Sequence, residues 1–190
     1  MSLAKSLLVV SFLVLGAPIM GCAADASAPN EESSDADVVS SSDTKLKKEL
    51  ASLVAGLETG GGEGDPDAYK VIDYRPKSGE KLDDATLYKR LLPKMLPGRM
   101  GEGESFPGMQ ERPIADEWSD LTADEDPARA KKWKAVKKFF EANMKGTRAV
   151  VLGWSSSEGG SIETGEVAQV IVGVTPSGRI IAIWGVDVWT

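Results

Sequence analysis

The side chains that carry most enzyme chemistry are scarce in this 190-residue chain. It has no histidine and one cysteine, Cys22. These counts exclude Ser-His-Asp and Cys-His catalysis, histidine-ligated zinc and an intrachain disulfide. Carboxylate pairs remain at Glu102 with Glu104 and at Asp116 with Glu117, and such pairs can divide acid and base roles. Adjacent acids are common in loops, so the sequence predicts a protein that is not an enzyme and needs no cofactor.

Cys22 follows a segment with the features of an export signal. Lys5 precedes an apolar run from Leu7 to Ile19, which is too short for a membrane span and has the length of a signal-peptide core. The sequence Ile19-Met20-Gly21-Cys22 resembles the lipobox of bacterial lipoproteins, in which an aliphatic residue and a small residue precede the cysteine that receives lipid. The alternative is an ordinary signal peptide with an unrelated cysteine.

The lipobox resemblance implies a location. Residues 1–21 would be removed as a lipoprotein signal peptide, and acyl chains on Cys22 would be the membrane anchor. We expect an exported protein attached to the bacterial cell envelope. Ala23 stands where some bacteria read an aspartate as an inner-membrane retention signal, which favours the outer membrane or its periplasmic side.

The acidity of the chain is concentrated near its beginning. The sequence has 22 basic and 29 acidic residues, a net charge of −7; six of the acids and one of the bases precede residue 44, leaving −2 for residues 44–190. Residues 22–43 are predicted to be a lipidated cysteine followed by a disordered acidic tether, and residues 44–190 the folded domain. Direct nucleic-acid binding is not expected from this balance.

Within residues 44–190 the charge is uneven. Residues 58–126 hold 17 acids and nine bases, whereas residues 127–190 hold five acids and nine bases. The acidic part can be a solvated surface, or it can imitate nucleic-acid phosphate and bind a basic cleft on another protein. The lysine-rich part is predicted to be the solvated face of a helix.

Periodicity and turn residues predict the elements. Asp126-Pro127 is a strong helix start, and the helix is expected to reach about Lys145. The segments predicted ahead of it are a helix over 45–57 capped by Asp43 or Thr44, a glycine-rich loop over 58–67, a strand over Tyr69–Tyr74, an amphipathic segment from Leu82 to Leu92 stopped by Pro93, and an irregular functional loop over 97–125.

The last 43 residues are predicted to form antiparallel strands over Arg148–Trp154, Val167–Val174 and Arg179–Val188. A tight turn, Thr175-Pro176-Ser177-Gly178, joins the last two. Both faces of the final strand are apolar, so we expect a sheet with helices packed on each side. The predicted fold class is α+β.

From Val167 onward, the order of a strand, the turn after Gly173-Val174, a strand and Thr190 resembles the nuclease A inhibitor family of bacterial proteins. Trp118 ahead of the lysine-rich helix and the acidic loop around Glu63 are also similar to the family pattern. The resemblance covers about residues 45–190 and is closest in the C-terminal third. It implies a three-layer α-β-α sandwich built on an antiparallel sheet.

The family binds and blocks a secreted, sugar-nonspecific endonuclease that uses Mg²⁺ to cut DNA and RNA. By position, the resemblance implicates Thr190, Glu63, Trp118 and Asp116 as partner-binding residues, and Asp116 stands where the family usually has glutamine. Thr190 would reach a metal ion only through the Mg²⁺ of the target nuclease.

Three alternatives remain open at this point. Asp65 or Glu58 can take the role of Glu63, because the alignment passes through glycines. Trp118 can equally be a core residue. The whole chain can be a non-catalytic envelope lipoprotein that binds another protein partner, since a shared fold does not secure a shared function.

Overall fold

A five-stranded antiparallel sheet in the order β1-β5-β4-β3-β2 lies at the centre of the described chain. The computed structural model describes residues 41–59, 66–77, 79–97, 106–162 and 165–189. The predicted signal peptide with Cys22, Glu63, the pair Glu102 and Glu104, and Thr190 lie outside the described residues. The strands are β1 (Lys70–Tyr74), β2 (Phe106–Arg112), β3 (Lys145–Ser155), β4 (Gly165–Val174) and β5 (Ile180–Trp189).

Helices cover both faces of this sheet. The helices α1, α4 and α5 pack on one face, and a continuous helical segment of α2, a π-helical turn and α3 packs on the other. The bounds are α1 (Ser41–Val54), α2 (Asp84–Thr86), the π-helical turn (Leu87–Leu91), α3 (Leu92–Met95), α4 (Ile114–Thr122) and α5 (Pro127–Asn143). The predicted α+β class with three layers is confirmed.

The last two strands match the expectation closely. Ile181 and Ile183 belong to the core beneath α1 and α5, whereas Ile180 and Ala182 belong to the core beneath α2 and α3. The turn between β4 and β5 is closed by a hydrogen bond from the Gly178 N–H to the Thr175 carbonyl at 2.9 Å. Gly178 has φ of 86°, a value that only glycine adopts without strain.

Helix α5 begins where the sequence predicts. The Asp126 side chain accepts a hydrogen bond from the Ala128 N–H at 2.8 Å, and Pro127 is the first helical residue. The helix buries five side chains, Ala130, Trp133, Val136, Phe139 and Phe140.

Helix α1 begins at Ser41, four residues earlier than predicted. Residues 41–43 therefore belong to the fold and not to the tether, and Asp43 is inside the helix instead of capping it. Asp43 is buried, and its carboxylate accepts hydrogen bonds from the Ser177 hydroxyl at 2.8 Å. This contact fastens the start of α1 to the β4–β5 turn, which explains the early start.

The prediction that Pro93 ends a helical segment is wrong, because the segment continues to Met95. Proline lacks an N–H, and its ring collides with the carbonyl four residues earlier in a regular helix. The preceding turn is π-helical, with the Leu92 N–H donating to the Leu87 carbonyl. The wider turn makes room for the ring.

The prediction of an irregular loop over 97–125 is wrong for most of its described part. Strand β2 pairs with β3 from Phe106↔Ser155 to Arg112↔Ala149, and α4 follows after Pro113. Strand β2 is at the edge of the sheet, where Pro107 and a weak apolar alternation are tolerated.

The described residues belong to one compact unit, Val38–Thr190. None of the helices in the described part of the chain is long and apolar enough to span a membrane.

Candidate functional site

Thr190 and Glu63 lie outside the described residues, but the residues that flank them are described. Thr59 and Pro66 are the described residues on either side of the segment 60–65, and β5 runs to Trp189.

The two ends of the segment 60–65 are fastened to β5. The Thr59 hydroxyl donates a hydrogen bond to the Val186 carbonyl at 2.7 Å, and the Val186 N–H donates to the Asp67 carboxylate at 3.2 Å. The Thr59 N–H donates to the Asp67 carbonyl at 2.8 Å, which holds the two ends together. Thr59 and Asp67 therefore lie beside β5 near the end of that strand.

The side chains of Thr59 and Asp67 make the hydrogen bonds to β5 that a neighbouring strand would make. The last residue of β5 that pairs with β1 is Trp184, opposite Lys70. Beyond that point a buried backbone N–H and carbonyl would lack partners, at a cost in stability. Thr59 and Asp67 supply both partners at Val186, so β5 stays held on two sides as it approaches its end.

A glycine makes this approach possible. Gly185 is buried in β5, and a methyl group added to it would collide with the Thr59 methyl group. Only glycine leaves room for Thr59 to lie against the strand.

Asp116 and Trp118 lie on α4, not in the loop that was predicted for them. Asp116 is exposed in the first turn of the helix. Trp118 is 5% exposed, and its ring centroid lies 5.8 Å from that of Phe140. The packing supports the core interpretation of Trp118, whereas Asp116 is available to a partner.

An ion pair between a buried glutamate and a partly exposed arginine, missed at the level of sequence, lies beside these residues. Glu117 is 6% exposed, and its Oε2 lies 2.7 Å from Nη1 of Arg112 on β2. Asp116 and Glu117 therefore do not form a catalytic pair, because one is exposed and the other is buried and bound to arginine. In the sequence, Arg112 lies five residues ahead of Glu117. This spacing indicates an ion pair only after a helix over Ile114–Thr122 has been recognised.

Burial dominates the electrostatics of Glu117. It raises the pKa of the carboxyl above its usual range, Arg112 opposes this, and Asp120 adds to it. A cavity of about 10 Å³ lies beside the pair and is also lined by Gln169. This is room for about one water molecule, so the site does not accommodate an organic ligand.

Gln169 of β4 connects the surroundings of the Arg112–Glu117 pair to β5. Its Nε2 donates a hydrogen bond to the Asp187 carboxylate at 2.7 Å, and the Tyr69 hydroxyl lies 3.5 Å from its Oε1. Burial raises the pKa of the Tyr69 hydroxyl, and the nearby carboxylates of Glu117 and Asp187 raise it further. Tyr69 therefore stays protonated and can donate to Gln169.

The raised pKa of Glu117 has a measurable consequence. The folded protein retains this proton to a higher pH than the unfolded chain, so the carboxyl lowers the free energy of unfolding as the pH rises through that range. Glu117→Gln removes the titration. We expect the stability of the variant relative to the parent to increase between about pH 4 and pH 7, as measured by urea unfolding.

Asp116→Asn is the matched control, since it removes the same charge from the exposed neighbouring position. Its stability relative to the parent should not follow the pH dependence of Glu117→Gln. Parallel pH profiles for the parent and Glu117→Gln would contradict the raised pKa.

No protein-family model matches the chain, and a search of curated proteins found no match. The described residues contain no group of three or more side chains suited to holding a metal ion. Two described acids at this end of the sheet, Asp67 and Asp187, accept hydrogen bonds from the Val186 N–H and from Gln169.

Proposed function

We propose that this protein inhibits a sugar-nonspecific, Mg²⁺-dependent endonuclease and blocks its active site through Thr190 and the acidic residues nearby. The observation that carries the proposal is the attachment of both ends of the segment 60–65 to Val186 of β5. It fastens Thr59 and Asp67, on either side of the segment that contains Glu63, to the strand whose last described residue, Trp189, precedes Thr190. The resemblance of the C-terminal third to the nuclease A inhibitor family supports the same assignment.

The chemistry of a C-terminal threonine suits an Mg²⁺ site. A terminal carboxylate has a pKa of about 3.5 and is ionised at neutral pH. Mg²⁺ prefers hard oxygen ligands and usually keeps exchangeable waters, so the carboxylate can replace one of them. Strand β5 is paired with β4 as far as Gly165↔Trp189, so the residues that lead to Thr190 are already ordered and lose no further conformational entropy when a partner binds.

The predicted acidic residues suit the rest of a nuclease surface. A nuclease grips phosphate with basic side chains, and Asp116 with the acidic segment 60–65 offers it negative charge instead. Such complementarity accelerates the encounter of the two proteins and sets their orientation. We also propose that the protein is exported and attached through lipid on Cys22 to the cell envelope, where it would meet a nuclease made by the same cell.

Titration of residues 38–190 into a Mg²⁺-dependent nonspecific nuclease from the same genome tests this function. The unit begins at residue 38, ahead of Ser41, so that it keeps the start of α1 and the contact of Asp43 with Ser177. We expect stoichiometric inhibition by the parent. Deleting Thr190 moves the terminal carboxylate back by about 3.3 Å, and inhibition should weaken about tenfold or more.

Thr190→Ser is the matched control for the deletion, since it keeps both the hydroxyl and the carboxylate at the same position. Its inhibition should stay close to that of the parent. Absence of inhibition by the parent, or equal inhibition by the parent and the deletion variant, would overturn the proposal.

A further inference from the structure

The outer surface of α1 and α5 carries a group of exposed lysines that the proposed inhibition does not use. The two helices lie side by side, and the Lys132 ammonium donates a hydrogen bond to the Ala55 carbonyl at 2.7 Å across the gap. Their inner sides bury Leu50 and Trp133, both 0% exposed, against the sheet. The lysine surface consists of Lys45 and Lys48 of α1 with Lys131, Lys134 and Lys138 of α5, all of them exposed.

The positive charge of the lysine surface is not neutralised within the described part of the chain. None of its five lysines forms an ion pair with another described residue. Among the acids of α1 and α5, Glu141 lies 3.8 Å from Lys137, and Asp43 is buried against Ser177, which leaves Glu49 exposed beside five lysines. A domain whose residues 44–190 sum to −2 thus presents one strongly basic side.

Helical spacing places these lysines on one side of the layer. On α5 the positions 131, 134 and 138 follow the i, i+3, i+7 pattern of a single stripe. The stripe lies opposite Trp133, Val136 and Phe140, which face the sheet. Lys45 and Lys48 are likewise three residues apart and opposite Leu50, so all five ammonium groups lie on the side of the layer that faces away from the sheet.

We propose that the lysine surface docks on an anionic lipid membrane. The surface is made of two adjacent helices. Among the described residues the exposed large apolar side chain is Phe106, which begins β2 and is not among these lysines. The lysine surface therefore lacks an aromatic side chain on which nucleic-acid bases could stack. Basic residues spread over a helical surface attract anionic headgroups.

The position of α1 in the chain favours the same partner. Eighteen residues separate Ser41 from Cys22, and they span at most roughly 60 Å. A lipid on Cys22 would therefore keep α1 within that distance of a bilayer. The docking proposal does not depend on nuclease inhibition, and it can be tested without the lipid.

Sedimentation with lipid vesicles tests the proposal on residues 38–190, which lack the acids of residues 23–37. We expect binding to vesicles of phosphatidylcholine with 30% phosphatidylglycerol, weakened by salt, and none to phosphatidylcholine alone. One lysine near an anionic surface strengthens binding about fivefold. The double variant Lys134→Gln/Lys138→Gln should therefore bind about 25-fold more weakly.

Lys77→Gln/Lys81→Gln is the matched control, because it removes two exposed lysines that are on neither α1 nor α5. It should bind as the parent does, and thermal unfolding should show that both double variants remain folded. Equal binding to the two kinds of vesicle, or equal weakening by both double variants, would overturn the proposal. Tighter binding to a DNA duplex than to the anionic vesicles at the same salt concentration would overturn it in favour of nucleic acid.

Discussion

Replacing Trp133 with alanine should lower the free energy of unfolding by about 3–5 kcal/mol. The side chain is fully buried, and the Tyr69 ring meets it edge to face with centroids 5.0 Å apart. The Tyr69 N–H donates to the Leu57 carbonyl at 2.9 Å. Trp133 thus joins α5 to the segments on either side of residues 60–65, and alanine would leave a cavity between them. Urea unfolding followed by circular dichroism measures the loss.

Two further variants separate packing from other effects. Trp133→Phe should lower the free energy of unfolding less than Trp133→Ala does, because most of the side-chain volume remains. The Trp133 indole N–H has no hydrogen-bond partner in the described part of the chain, so phenylalanine loses no hydrogen bond there. Lys134→Ala changes the exposed neighbour and should alter stability by at most about 0.5 kcal/mol. A loss from Trp133→Ala as small as that from Lys134→Ala would contradict the described packing.

Gly185→Ala should lower the free energy of unfolding by about 1–3 kcal/mol. The added methyl group would collide with the Thr59 methyl group and push Thr59 away from β5. The Thr59 hydroxyl would then lose its bond to the Val186 carbonyl, which is 2.7 Å long in the parent. Under the proposed function, the same displacement moves a residue that flanks the segment 60–65 away from β5 and weakens inhibition.

A second substitution can remove the collision without removing the hydrogen bond. Thr59→Ser deletes the methyl group and keeps the hydroxyl, so Thr59→Ser/Gly185→Ala should be more stable than the sum of the two single losses predicts. Urea unfolding of the parent, the two single variants and the double variant gives this coupling energy. Strict additivity would show that the strain at Gly185 comes from another contact.

The elements with local sequence signals could be predicted, and those without them could not. Helix α5 begins with Asp126-Pro127, and the last hairpin has Pro176 and Gly178 in its turn, so residues close together in the chain determine these structures. Strand β2 has Pro107 and Gly108 in its interior. It forms because β3 pairs with it, and nothing in residues 106–112 reveals that partner.

The site could be predicted only in part for a related reason. The exposed position of Asp116 follows from its type, but the burial of Trp118 depends on Phe140, and that of Glu117 depends on Arg112. The attachment of Thr59 and Asp67 to Val186 joins residues more than a hundred positions apart. A search for sequence motifs does not detect contacts between residues far apart in the chain, because only the folded sheet brings them together.

The strand order also sets when the fold can be completed during synthesis. Strand β1 is the first described strand to be synthesised, and β5 is the last. In the described sheet β1 is at the edge and pairs with β5, with Lys70 opposite Trp184. Strand β1 therefore cannot pair until β5 has been synthesised. In the same way, Asp43 of α1 cannot bind Ser177 until the β4–β5 turn has been synthesised. Pairing between such distant segments is slow because a large loop must close first. Under the proposed export, β1 and α1 would still lack these partners while the chain emerges, which suits a translocation channel that accepts unfolded polypeptides.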